Sequence, residues 1–218
     1  MAGALVSVTP AARPSRCRYL SAREVRTRLL PIRGVGVSAA AAEAGEEAEQ
    51  ARNAQPADLS GRWVKDWGAS DSMDPACEVM QLNWLLRQAV GLVKVLEVKQ
   101  SDAAFETVLK AGVIGVSERY TLGDGSAFGE PARYGRRDKR GGGAEGKARR
   151  ADKAGEVEVY VAWEGELAGA QVETFRFGET AGALDSDVLW VDTYMKLDSG
   201  AQCTYRTVYR RERLTDSK

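Results

Sequence analysis

The chain has 218 residues, with 31 basic and 31 acidic side chains and no histidine; 44% of residues are hydrophobic and 28% charged. Without His there is no Ser-His-Asp or Cys-His catalysis and no imidazole metal ligand, and three Cys are too few for a His/Cys zinc site. A formal net charge of zero gives no overall pull toward DNA or anionic membranes, and the composition is that of a soluble globular protein.

The zero is a cancellation. Residues 1–39 carry seven Arg, no Lys and a single acid, Glu24, with Ser7, Ser15, Ser21 and Ser38 scattered among Ala and Val. An Arg-rich, Ser-containing, acid-poor start is the signature of an organelle transit peptide, and its apolar stretches are too short for a membrane span. Val37-Ser38-Ala39-Ala40 is similar to a plastid processing site, which implies the plastid stroma; a mitochondrial presequence is the alternative. Residues 40–57 turn Ala/Glu-rich without an apolar face and read as a solvated, disordered linker.

From Asp58 the chain becomes periodic. Asp58–Lys65 reads as a first strand, and Asp74 followed by Pro75 as a helix entry. Val79, Leu82, Leu86, Ala89, Val90 and Val93 fall at helical spacing, in one helix or in two joined near Asn83-Trp84, with Gly91 near the end. Strands follow at Leu96–Lys99, Phe105–Lys110 and Val113–Leu122. Residues 131–154 interrupt them with nine basic residues and three acids. The Gly141–Gly146 stretch matches G-x-G-x-x-G but lacks the apolar strand and helix a dinucleotide site needs, so it reads as part of a mobile, solvated loop. Val157–Trp163 has the clearest period-two pattern, and Val172–Phe177, Leu189–Leu197 and Cys203–Arg211 complete about eight strands, with room for one or two more near the basic loop. Residues 214–218 are a tail. The pattern predicts an all-β, up-and-down antiparallel barrel of about 8–10 strands with a short helical lid after the first strand.

Gly61-Arg62-Trp63, Ser70–Asp74, the helical stretch Met80–Gly91, Trp163-Glu164-Gly165 and a last strand from Cys203-Thr204 to Tyr209 together resemble the calycin group, in particular intracellular fatty-acid-binding proteins and lipocalins. The resemblance covers most of residues 58–213. It implies a barrel enclosing one apolar ligand, whose carboxylate that family holds with two Arg and a Tyr. Arg176 and Tyr209 match the first Arg and the Tyr; Arg206 is nearest to the second Arg, whose own position is occupied by Thr207. Arg206 and Tyr209 are three residues apart and so face opposite ways on a regular strand, which only a bulge would change; a neutral lipid or pigment is therefore an alternative to a fatty acid. Met80 and Trp84 on the helical stretch are further ligand-contact candidates, although a helical apolar stripe more often belongs to the core. Trp63 reads as a barrel plug with Arg206 or Arg210 stacked on it, and Cys77 and Cys203 as buried thiols.

The sequence thus predicts a monomeric, non-enzymatic carrier of a small hydrophobic ligand (fatty acid, other lipid or pigment), without metal, cofactor, DNA or transmembrane segment. The alternatives are an interaction module that uses residues 131–154 to bind RNA or an acidic protein, and a barrel enzyme, for which no nucleophile or carboxylate constellation is present.

Overall fold

The computed structural model describes residues 57–112, 114–138, 140–151, 155–180 and 182–212; the presequence and tail readings, and all but the end of the linker, lie outside them. The chain forms β1 (Gly61–Lys65), α1 (Asp74–Val79), α2 (Trp84–Gly91), β2 (Val95–Gln100), β3 (Ala104–Ala111), β4 (Ile114–Gly123), β5 (Ala132–Gly135), β6 (Gly143–Arg150), β7 (Val157–Trp163), β8 (Gly169–Thr180), β9 (Ala183–Leu197) and β10 (Gln202–Arg211). No helix among the described residues is long and apolar enough to cross a membrane.

The strands pair in the order β4-β3-β2-β1-β10-β9-β8-β7-β6-β5, and β4 also pairs with β6. That second pairing closes a nine-strand barrel and leaves β5 as an extra strand on β6. All neighbours are antiparallel except the closing pair, where Leu122 and Gly123 run parallel to Ala148 and Arg149. The parallel step follows from β5, which adds one more pass between β4 and β6. The chain backbone crosses itself tightly there: a Cβ on Gly129 would overlap the Thr121 carbonyl, and one on Gly123 would lie 2.5 Å from the Gly129 nitrogen. Only glycine permits that approach.

Residues 131–154, expected as a loop, therefore contain two strands. The apolar alternation used to find strands is absent there because Ala144, Gly146 and Ala148 replace large inward side chains. Gly146 has a packing reason: a Cβ would sit 2.5 Å from the Tyr120 ring and overlap the Tyr134 hydroxyl.

One end of the barrel is filled by aromatic side chains. Trp63 is fully buried, donates its indole N–H to the Leu59 carbonyl (3.1 Å), and has the guanidinium of Arg211, its cross-strand partner, 4.3 Å above the ring. Arg211, not Arg206 or Arg210, is thus the stacking cation. Phe105 on β3 and Phe175 on β8 meet edge-to-face at 5.1 Å across the interior.

At the other end, residues 66–71 lead from β1 into the helices and tie back to β10. Val208 N–H donates to Ser70 Oγ (2.9 Å) and Arg206 N–H to Asp71 Oδ2 (2.8 Å). The helical stretch forms two helices. Asn83 divides them and caps α2, accepting from Leu86 N–H (2.9 Å). α1 buries Ala76 and Cys77, and Met80 just beyond it joins the core. α2 buries none of its side chains.

Candidate functional site

Period-two alternation decides what enters the barrel. On β8, Gln171, Glu173 and Phe175 are buried while Val172, Thr174 and Arg176 lie on the outer face. On β4, Glu118, Tyr120 and Leu122 are buried. Two carboxylates therefore point into the barrel from opposite walls. A buried carboxylate needs a cation, and among the described residues no basic side chain on a strand pairs with Glu118 or Glu173. The cation comes from the turn after β5.

Arg137 reaches inward and bridges both acids. Its Nε donates to Glu118 Oε1 (2.7 Å) and its Nη1 to Glu173 Oε1 (2.8 Å); Nη2 donates to Glu118 Oε2 and, at 3.3 Å, to Glu173 Oε2. Tyr120 donates to Glu118 Oε2 (2.8 Å), the Tyr120 and Tyr134 hydroxyls share a 3.0 Å bond, and Gln171 donates to Glu173 Oε1 (3.0 Å). Burial works to raise the Glu118 pKa, but the charge and hydrogen bonds of Arg137, with the Tyr120 hydroxyl, hold it below the ordinary carboxylate value. Burial works to lower the Arg137 pKa, and the two carboxylates more than reverse it. Burial and the Glu118 charge push Tyr134 up to about 12, and Tyr120 well above its ordinary value. Tyr205 and Tyr209 on β10 are likewise raised, by burial and then by the Glu173 charge, so both phenols keep their protons at neutral pH.

The turn that delivers Arg137 is pinned on both sides. Arg136 is buried, donating to the Glu164 and Glu166 carbonyls (2.8 and 2.6 Å) and to Asp138 (2.6 Å). Arg140 donates to the Gln81 carbonyl between the helices (3.0 Å) and pairs with Asp138 (3.4 Å). The arginine turn and the helical pair thus cap one barrel end together. Of the seven described basic residues in 131–154, six are ion-paired, and Lys147 sits over the Phe128 and Tyr160 rings. The free positive loop expected from the sequence is instead a neutralised cap.

Two residues from Glu118 toward the helices, Val116 on β4 faces Leu109 on β3, and two residues from Glu173 on β8, Gln171 faces Met195 on β9. Leu109 and Val116 are half-buried, and Val79 and Leu82 of the helical segment pack on the core. Arg137 keeps 29% of its side-chain surface accessible, and Tyr205 is half-buried.

The residues expected from the sequence divide. Tyr209 is buried, faces inward and feels the charges of Glu173 and Arg137. Met80 is buried in the core beside the cap. Trp84 is 72% exposed at the start of α2, on the outside. Arg176 and Arg206 are both on the outer face, which corrects their expected place in the barrel. They stack on opposite sides of Trp190, at 4.6 and 4.3 Å, and share Asp192 at 3.2 and 2.5 Å. The reason is parity: Arg176 alternates with inward Phe175, Arg206 with inward Thr207, and β10 pairs with β9 without a bulge. Sequence reasoning missed Arg137, Glu118 and Glu173. The available signal was an acid in phase with large apolar side chains on its strand: Glu118 with Tyr120 and Leu122, and Glu173 with Phe175 and Phe177.

No family description matches the chain, and no curated protein matches it. Solved structures do. A protein described as the REP1-NXSQ fatty acid transporter superposes with a TM-score of 0.50 at 11% identity, covering 72% of this chain and 97% of its own. Apo lipid binding protein 8 of Caenorhabditis elegans superposes with a TM-score of 0.50 at 15% identity, covering 71% and 95%. At such identities the likeness is one of fold, and the fold is a calycin-like closed barrel with two short helices after the first strand.

Proposed function

We propose that this protein binds one small apolar molecule between the Arg137 bridge and the helical cap, and carries or sequesters it without chemical change. The observation that carries this reading is the accessible surface of Arg137 inside a closed barrel, under half-buried Leu109 and Val116. The named functions of the two similar barrels, fatty-acid transport and lipid binding, support it by analogy of fold. Tyr209 and Met80 belong to the proposed site as wall and roof. The lack of His and of a nucleophile motif supports a binding role over catalysis. On residues 1–39, the proposed setting is the plastid stroma, with the mitochondrion as the alternative; the carrier acts as a monomer.

The test is a titration of the full chain with Nile red, an uncharged solvent-sensitive dye. The expected result is saturable, equimolar fluorescence enhancement that is lost when the compartment is filled by Val116→Trp. Absence of saturable binding contradicts the reading, as does unchanged binding by a folded Val116→Trp variant.

A further inference from the structure

The bridge also bears on the kind of head group the compartment accepts. An arginine carries five N–H donors. In Arg137 four of them meet carboxylate oxygens, which leaves one on Nη1. The positive charge is opposed by two negative ones, so the bridge as a unit carries one net negative charge. Glu118 and Glu173 are themselves fully engaged, by Tyr120 and Gln171 as well as by Arg137. An entering carboxylate would find no unopposed cation at the bridge and two fixed like charges a few bonds away. What the bridge and its surroundings offer is donors without an unopposed charge: the remaining Nη1–H of the twice-paired guanidinium, the Tyr209 hydroxyl and the Tyr205 hydroxyl, which is bonded to Thr193; both phenols are close enough to Glu173 to feel its charge. Thr207 stands inward on β10, uncharged. Lys65, buried at the end of β1, holds its ammonium 4.1 Å over the Trp67 ring, and its pKa is lowered by burial.

Resting on the carrier reading above, we propose that the compartment selects an apolar molecule whose head is an uncharged hydrogen-bond acceptor, such as an ester or ketone, and discriminates against a carboxylate. Arg137 and Glu173 set that choice: the guanidinium presents the donor, and the second carboxylate cancels the charge that would otherwise attract an anion.

The matched probes are palmitate and methyl palmitate, which differ only in head-group charge. Each competes with Nile red on the full chain at about pH 8, where a free carboxylate is ionised. The expected result is that methyl palmitate displaces the dye at least about tenfold more strongly, since a like charge at this range in a protein interior costs no less than such a factor. Glu173→Gln leaves the bridge neutral and is expected to narrow the ratio by raising palmitate affinity. Palmitate binding as tightly as its ester overturns the inference and leaves the carrier reading standing. A folded Glu173→Gln variant with an unchanged ratio removes the bridge as its cause. Binding of neither probe nor dye overturns the carrier reading and this inference with it.

Discussion

Arg137 has a structural role whatever the barrel holds. It joins β4 to β8 through two buried acids, so its loss leaves two uncompensated carboxylates facing each other. Arg137→Met is expected to cost about 3–5 kcal/mol in urea unfolding, the range for breaking a buried ion pair. Adding Glu118→Gln and Glu173→Gln to that variant should recover much of the loss, because the penalty is the unpaired charge. A single-variant cost below about 1 kcal/mol, the range of a surface pair, would mean the bridge is solvated. The pH dependence has a definite sign. Glu118 has a folded pKa below its unfolded value of about 4.3, so its stabilisation is complete above that value and is lost as pH falls through the folded one. Asp66, Glu97 and Asp138 are also lowered, so the whole chain loses stability on acidification. The diagnostic is the difference between chains: Glu118→Gln should show a shallower fall of the urea midpoint between about pH 5 and pH 3. Parallel slopes would contradict the assignment.

At the scale of elements, the two helices differ in kind. α1 and the residues just after it contribute Ala76, Cys77 and Met80 to the interior, whereas α2 holds Trp84 and Leu85 in solvent. Met80→Ala is expected to cost about 2–5 kcal/mol and Trp84→Ala no more than about 0.5 kcal/mol in chemical denaturation. Equal costs would place α2 in the core. The closing strand pair makes a second claim. Gly129→Ala puts a methyl group into the Thr121 carbonyl and should separate β4 from β6. The readout is amide exchange: faster exchange confined to residues around Leu122 and Ala148 is expected, and unchanged protection would show that the crossing tolerates a side chain. Legibility in the sequence follows the same division. Strands with large alternating side chains, such as β7 and β10, could be read residue by residue, and a break near Asn83-Trp84 was one of two readings of the helical run. β5 and β6 could not, because β5 is only four residues long and Ala144, Gly146 and Ala148 fill the buried positions of β6, so period-two hydrophobicity vanishes. Closure through a parallel pair depends on backbone proximity, which no local pattern records.

For the molecule as a whole, Arg176 and Arg206 were matched to the ligand arginines of the resembling family; alternation turns both outward onto Trp190, and the cation that meets the two inward acids is Arg137, from the turn after β5. The basic segment that looked like a docking arm is folded back on its own molecule, with Arg136, Arg137 and Arg140 tying the β7–β8 turn, the barrel interior and the helical pair together. The central claim is that the compartment beneath this cap holds an apolar molecule. Its most direct test is native mass spectrometry of the protein purified from its own host. The account predicts a species heavier than the bare chain by one small molecule, removed by organic extraction and identified in the extract as apolar. A bare mass throughout, with no uptake of added methyl palmitate, would contradict it.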